Sequence, residues 1–142
     1  MRILLAILLC FLLIGCPSKE QSDADPNYDV IIYGGTSAGI IAAIQLAKDG
    51  KKVAIVEPSS HIGGMTTEGL GGSDINNHPN FKNAVAVGGL ALEFYKASAA
   101  HYGITDFGTA KEQFMTWRFE PHVADSIFGA WIEEYQIPVH LN

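Results

Sequence analysis

The sequence predicts an α/β fold, in which a Rossmann-like βαβ unit is built on a parallel sheet. Three observations carry this prediction. Residues 30–32 form an apolar, β-branched run that is typical of a strand buried on both faces. Residues 34–39 are glycine-rich and begin a helical pattern, and residues 53–56 form a second strand of the buried type that ends in Glu57. Strand, glycine turn, helix, strand and acid in this order indicate a dinucleotide-binding unit.

The segment after the glycines predicts a helix whose N-terminus faces a phosphate. Ser37 is a candidate cap for a helix that begins at Ala38. The apolar stripe of this helix consists of Ile40, Ile44 and Ala47. Because a helix N-terminus leaves backbone N–H groups unpaired and carries partial positive charge, it favours a pyrophosphate.

The predicted pyrophosphate site comprises the six residues of the turn, Gly34, Gly35, Thr36, Ser37, Ala38 and Gly39. When the turn is read as G-x-G-x-x-G, Thr36 replaces the middle glycine, and its Cβ should hold the phosphates slightly farther away. We expect the hydroxyl group of Thr36 or Ser37 to compensate by donating to a phosphate oxygen. The alternative is a doubly wound domain whose turn binds nothing.

The second strand supplies the acidic residue of the pattern. Gly50 stands where a glycine usually ends a helix, just before this strand. Glu57 follows the glycines by roughly 20 residues, the spacing at which an acid accepts hydrogen bonds from an adenosine ribose.

The stretch after Glu57 resembles that of flavoproteins with two dinucleotide-binding domains, which carry a Gly-Gly pair soon after the ribose acid. Three motifs are similar to those of a bacterial, often exported family of FAD-dependent oxidoreductases: the turn at 34–39, Gly-Gly-Met-Thr-Thr-Glu-Gly-Leu at 63–70, and Phe-Glu-Pro-His-Val-Ala at 119–124. This resemblance extends over most of the chain from Tyr28 onward.

The resemblance implies FAD as the cofactor and an FAD-dependent oxidoreductase that acts on an unknown small-molecule substrate. It implies that Gly63, Gly64 and Met65 lie on the flavin side of FAD, and it assigns no catalytic residue. It also implies that His61 lies near the cofactor; the alternative is a surface histidine in a loop. An NAD(P)-binding oxidoreductase is an alternative that the Gly-Gly pair disfavours. A membrane-tethered, non-catalytic nucleotide-binding module, or a truncated inactive product, is the alternative outside the enzymes.

The N-terminus predicts export and a membrane anchor. Residues 1–15 combine one basic residue with an apolar run too short to cross a bilayer, as a signal peptide does. Leu-Ile-Gly-Cys at 13–16 resembles the lipobox of bacterial lipoproteins and implies a lipid on Cys16. Residues 16–27 would then form the lipidated cysteine and a flexible polar tether, on the periplasmic or cell-surface side of a bacterial membrane. An uncleaved anchor and a simple secretory signal are the alternatives.

Charge and cysteine content exclude other classes of function. The net charge is −6 and the sequence has no basic stripe, which argues against nucleic acid as a partner. Cys10 lies in the predicted signal peptide and Cys16 would be acylated, so that no disulfide is expected. The polar residues at 74–78 match no metal-ligand spacing, and turn chemistry explains them better, so no metal is predicted.

The rest of the sequence predicts less regular structure. Residues 58–82 have the composition of a long glycine-rich loop, 85–102 that of a helix, and 113–119 that of a strand or extended arm. A helix should begin at Pro121, and a last strand should occupy 137–141. We therefore expect 28–142 to be the N-terminal part of an FAD-binding domain, incomplete at its C-terminus, whose partner is the missing C-terminal part of the flavoprotein fold.

Overall fold

The computed structural model describes residues 27–78, 80 and 82–142. The predicted signal peptide at 1–15 and the predicted lipidation at Cys16 lie outside the described residues. Only the last residue of the predicted tether, Asn27, lies within them. No helix in the described part of the chain is long and apolar enough to cross a membrane.

The sheet has three parallel strands, β1 (Val30–Tyr33), β2 (Val53–Glu57) and β3 (Val139–Leu141), in the order β1-β2-β3. Ile32 pairs with Ile55, and Ile55 pairs in turn with the first residue of β3. The predicted α/β fold with a parallel sheet is therefore confirmed, and so is the strand expected at 137–141.

Helices and short turns connect the strands. The helices are α1 (Ser37–Lys48), α2 (Met65–Glu68), α3 (Gly89–His101), α4 (Phe107–Ala110) and α5 (Pro121–Glu134), and two 3₁₀ turns occupy Asn83–Ala86 and Phe114–Trp117. Pro121 is in the first turn of α5, where its missing N–H is not needed, as the sequence predicted.

Helix α1 begins one residue earlier than predicted. Thr36, rather than Ser37, is the N-cap, since its backbone is extended and its hydroxyl oxygen accepts from the Gly39 N–H at 3.3 Å. Ser37 is the first helical residue, which frees its side chain for a contact outside the helix. Gly50 follows the helix with a φ of +75°, which confirms the predicted glycine at its C-terminal end.

The core lies on one face of the sheet. Val53 and Ile55 of β2 are buried against Ile40 and Ile44 of α1, and Phe128 of α5 belongs to the same cluster. Helix α3 adds Phe94, so that α1, α3 and α5 share one apolar core with the sheet.

The prediction that the first strand is buried on both faces is wrong for the described part of the chain. Val30 and Ile32 pack on the core, but Ile31 and Tyr33 are 61% and 77% exposed. Strand side chains alternate between faces, and the helices that form the core cover only the face with Val30 and Ile32.

Three further predictions need correction. The loop expected at 58–82 contains helix α2. The helix expected at 85–102 begins only at Gly89. The 3₁₀ turn Asn83–Ala86 occupies the start of the predicted range, and Gly89 itself has a positive φ of +56°, which an α-helix does not continue through. The strand or extended arm expected at 113–119 is instead the 3₁₀ turn Phe114–Trp117, in which Trp117 is completely buried.

Candidate functional site

The glycine turn joins the end of β1 to the start of α1 with little space between them. Gly34 has a φ of +109°, in the left-handed region that favours glycine, and its N–H donates to the Val56 carbonyl oxygen at 2.8 Å. A Cβ on Gly39 would overlap the Gly34 carbonyl oxygen. Glycine at this position therefore lets the helix start directly against the strand, as a dinucleotide-binding turn requires.

The N-terminus of α1 offers open hydrogen-bond donors. No described residue accepts from the backbone N–H groups of Ser37 and Ala38, and Thr36 and Ala38 are exposed. The Thr36 hydroxyl accepts from Gly39, which leaves its own proton free for another acceptor. Open N–H groups, a free hydroxyl proton and the positive end of the helix dipole are the groups that bind an anion.

Glu57 ends β2 beside this turn. One carboxylate oxygen accepts from the Gly35 N–H at 2.6 Å, and the other accepts from the Ser59 N–H at 2.8 Å. Hydrogen bonds from the Ser59 hydroxyl, the Ser59 N–H and the Gly35 N–H lower the pKa of Glu57 below its ordinary value. The Ser59 hydroxyl also lies 2.8 Å from the His61 carbonyl oxygen, so it is shared between two acceptors. Glu57 is therefore an anionic acceptor held at the edge of the turn.

The Gly-Gly segment, defined here as residues 62–68, lies directly against the turn. The Gly63 N–H donates to the Gly35 carbonyl oxygen at 2.6 Å, and Thr36 pairs with Gly63 as in a short parallel ladder. The Ser37 hydroxyl donates to the Gly63 carbonyl oxygen at 2.9 Å and also contacts the Thr66 hydroxyl. Because the Ser37 proton is used here, Thr36 is the better candidate for a phosphate donor.

Backbone conformation explains the two glycines of this segment. Gly63 and Gly64 have φ values of +98° and +56°, and a Cβ on Gly63 would overlap the Thr67 side chain. The Thr67 hydroxyl is placed there by donating to the Ile62 carbonyl oxygen at 2.7 Å. Met65 follows at the start of α2 with 71% of its surface exposed, which leaves it free to contact a ligand.

The His61 side chain contacts helix α5 rather than the turn. Its Nε2 lies 3.5 Å from the Asp125 carboxylate on α5. No hydrogen bond joins the His61 imidazole to the turn in the described part of the chain. Its predicted position near the cofactor remains a prediction.

A second set of contacts, which no sequence motif indicated, lies behind the Gly-Gly segment. The Phe119 N–H donates to the Gly71 carbonyl oxygen at 3.0 Å, and a Cβ on Gly71 would overlap the Phe119 carbonyl oxygen. The Ser73 hydroxyl donates to the Trp117 carbonyl oxygen at 2.8 Å. These contacts join residues more than 40 positions apart, and no local pattern predicts them.

The donor set fits a dinucleotide better than a metal. Within the described ranges, no three His, Cys, Asp or Glu side chains converge as a metal site needs. Open N–H groups at a helix N-terminus, an adjoining anionic acceptor and a closely packed glycine turn fit the pyrophosphate and ribose of a dinucleotide.

Comparison with known proteins agrees with this geometry. The family model described as FAD dependent oxidoreductase matches residues 29–142. The pseudooxynicotine dehydrogenase of a Pseudomonas species is 29% identical over 135 residues, covering 84% of this chain and 25% of that protein. The 3-oxosteroid 1-dehydrogenase of Mycolicibacterium smegmatis is 38% identical over 56 residues, covering 39% of this chain and 10% of that protein. The FAD-dependent oxidoreductase dpchF of Colletotrichum higginsianum is 61% identical over 38 residues, covering 27% and 8%.

The chain spans a quarter or less of the length of these relatives. The family match nevertheless covers both strands of the βαβ unit, the turn, the Gly-Gly segment and α5. The predicted cofactor, FAD, is confirmed at the level of the family. The chain thus belongs to the FAD dependent oxidoreductase family.

Proposed function

We propose that this chain is the FAD-binding portion of an oxidoreductase that acts on a small molecule. The observation that carries the proposal is the meeting of two groups at Gly35. The open N-terminus of α1 follows it by two residues, and the Glu57 carboxylate is hydrogen-bonded to its N–H at 2.6 Å. An anion-binding helix N-terminus and a carboxylate that can accept from ribose hydroxyls, side by side at the C-terminal ends of the strands, match the pyrophosphate and ribose of FAD.

Within this proposal, each group of the turn has a distinct role. The N–H groups of Ser37 and Ala38 and the Thr36 hydroxyl hold the pyrophosphate. Glu57 accepts from the adenosine ribose through lone pairs that its bonds to Gly35 and Ser59 leave free, since a carboxylate has about four acceptor positions. Ser37 holds the Gly-Gly segment in place instead of donating to phosphate.

The Gly-Gly segment forms the flavin side of the proposed site. Gly63 and Gly64 bring backbone close to the turn without side chains in the way, and the exposed Met65 contacts the cofactor. FAD supplies the redox chemistry when bound, and the protein binds it, orients it and limits the access of water. The names of two relatives as dehydrogenases support a redox reaction, and the substrate of this protein is not assigned.

Finer parts of the proposal rest on the sequence. The Gly-Gly pair after Glu57 supports the type of flavoprotein with two dinucleotide-binding domains. The apolar run and Cys16 support a bacterial lipoprotein that is exported and anchored on the outer side of a membrane, with 16–27 as its tether. The greater length of the relatives supports a further part of the flavoprotein fold as the partner that completes the site.

An absorption spectrum of the protein purified from its own membranes tests FAD binding first. We expect oxidised-flavin bands that bleach on reduction with dithionite. A colourless protein that gives no perturbed flavin spectrum with added FAD would favour the non-catalytic module instead. A nicotinamide cofactor in place of FAD would favour the NAD(P)-binding alternative.

The ribose contact is tested by Glu57→Gln. A hydrogen bond to a charged acceptor is stronger than one to a neutral amide, so FAD affinity should fall by about tenfold to a hundredfold. The control is Glu134→Gln at the end of α5. Because α5 leads into the start of β3, Glu134 lies near the N-terminal ends of the parallel strands, whereas Glu57 lies at their C-terminal ends. Equal FAD affinities for the two variants, measured by titration, would remove Glu57 from the site.

A further inference from the structure

A second feature of the molecule is a cavity of about 290 Å³ that lies beside the turn. It lies between the first turns of α1, the Gly-Gly segment and helices α3 and α5. Ser37 and Thr66 form part of its wall, so it adjoins the proposed cofactor site directly. A space beside the predicted flavin side of the site is where a substrate has to lie.

Most of the cavity wall is aromatic or aliphatic. The largest lining side chains are the aromatic ones, Phe94, Tyr95, Phe119 and Phe128. The Phe94 ring packs edge-on against Phe119 at 5.0 Å and is stacked on Phe128 at 5.1 Å between ring centroids. Because these rings brace one another, the apolar wall has a fixed shape that favours a flat, apolar ligand.

The polar side chains that line the cavity all carry hydroxyl groups. The protons of Ser37 and Ser73 are used by the carbonyl oxygens of Gly63 and Trp117. Tyr95 also lines the cavity; its phenol is protonated at neutral pH, and burial raises its pKa further above the ordinary value. A neutral phenol can donate one hydrogen bond to a carbonyl or hydroxyl oxygen of a ligand.

No described residue that lines the cavity carries a charge. A carboxylate or ammonium group placed there would lose its hydration and meet no opposite charge, which is strongly unfavourable. The wall therefore selects against ionic ligands and accepts uncharged ones.

We propose that this cavity is the substrate pocket and that the substrate is an uncharged, mainly apolar ring compound with a carbonyl or hydroxyl group. The inference rests on the proposed function, because the cavity is a substrate pocket only if FAD binds beside it. Tyr95 is the specificity-determining residue, since it offers the one phenolic donor among the described lining residues.

The test compares a neutral probe with its charged counterpart on the purified full chain. The probes are 2-naphthol and 2-naphthoate, and their binding is measured by equilibrium dialysis at pH 7, with FAD content read from the flavin bands of the same samples. We expect 2-naphthol to bind about tenfold more tightly than 2-naphthoate, because only the second brings a charge into the cavity. Equal binding of the two probes would overturn the inference.

Two variants and one control locate the bound probe. Ala91 lines the cavity at an exposed position of α3, so Ala91→Trp should fill the space and weaken 2-naphthol binding by about tenfold. Ala100→Trp changes an exposed position of the same helix outside the cavity and should leave binding unchanged. Tyr95→Phe keeps the ring and removes the donor, so it should weaken 2-naphthol binding by about threefold to tenfold without loss of FAD.

The results separate this inference from the function on which it rests. Selective 2-naphthol binding in a chain that takes up no FAD would overturn the proposed function and leave a cavity for neutral ligands that is no substrate pocket. Loss of FAD from Ala91→Trp alone would mean that the cavity receives the flavin, which would overturn the inference and support the proposed function. Unchanged 2-naphthol binding in both Ala91→Trp and Tyr95→Phe would also overturn it.

Discussion

The glycine turn at 34–39 and the connecting region at 71–118 both depend on contacts between residues that are distant in sequence. Strand pairing fixes these contacts at the turn, and individual hydrogen bonds fix them in the connecting region. At the turn, Tyr33 pairs with Val56 in the parallel ladder, and this register brings the Gly35 N–H to the Glu57 carboxylate. In the connecting region, single hydrogen bonds, such as the one from the Ser73 hydroxyl to the Trp117 carbonyl oxygen, join segments that none of the three described strands aligns.

This difference indicates which kind of site can be recognised from the sequence. A βαβ unit fixes the relation between its turn and the end of its second strand, so a short motif implies its distant partner. Irregular segments contact one another through individual side chains and close backbone approaches, and these contacts follow no pattern that one sequence shares with another. The proposed cofactor site belongs to the first kind of region, and the proposed substrate pocket depends partly on the second.

The largest expected effect is that of Gly39→Ala in the turn. The new Cβ would overlap the Gly34 carbonyl oxygen, so helix α1 would have to move off β1. We expect a loss of about 2–3 kcal/mol in the free energy of unfolding, together with loss of FAD binding. Urea unfolding followed by circular dichroism, with a parallel FAD titration, measures both.

Gly129→Ala is the matched control for that variant. Gly129 is an exposed residue of α5 with open space where an alanine methyl group would lie, and alanine suits a helix interior better than glycine. It should stabilise the protein by about 0.5–1 kcal/mol. Similar destabilisation by both changes would mean that residue 39 requires glycine no more than residue 129 of α5 does.

A smaller effect is expected from Gly71→Ala in the connecting region. The added Cβ would overlap the Phe119 carbonyl oxygen, but no regular element holds residue 71 in place, so the backbone can shift. We expect a loss of about 1–2 kcal/mol. Gly72→Ala, beside it, meets no atom within 4 Å and should have little effect on the same urea midpoint. If Gly71→Ala lowered the free energy of unfolding as much as Gly39→Ala does, the two regions would not differ in how strictly they require glycine.

Most of the βαβ unit could be predicted from the sequence because its signals are local. The β-branched runs, the glycines, the capping glycine at residue 50 and the acid at the end of β2 each lie within a few residues of the structure they specify. The exchange of roles between Thr36 and Ser37 could not be predicted, because either hydroxyl residue suits an N-cap and only the Gly-Gly segment, 26 residues away, engages Ser37.

The connecting region could not be predicted for a physical reason. Residues 113–119 have the apolar and aromatic content of a strand, but the 3₁₀ turn there lets Trp117 bury its ring while its Nε1 donates to the Lys111 carbonyl oxygen at 2.7 Å. Tertiary burial of one large side chain outweighed the strand propensity of the segment. Likewise, the exposure of Ile31 and Tyr33 depends on what covers each face of the sheet, which the sequence of the strand does not state.

The smallest expected effect concerns pH and sharpens the role of Glu57 at the turn. Its pKa in the folded protein is lowered from an ordinary value of 4.5 by hydrogen bonds from Ser59 and Gly35. A lowered pKa means that the carboxylate stabilises the fold fully above the unfolded-state value, and that this contribution is lost as pH falls through the folded-state value. The difference in urea midpoint between the wild type and Glu57→Gln should therefore be largest near pH 7 and shrink below about pH 4.5. A difference that stays constant across this range would mean that the charge of Glu57 does not hold the Gly35 N–H, and that the turn keeps its shape through the parallel register alone.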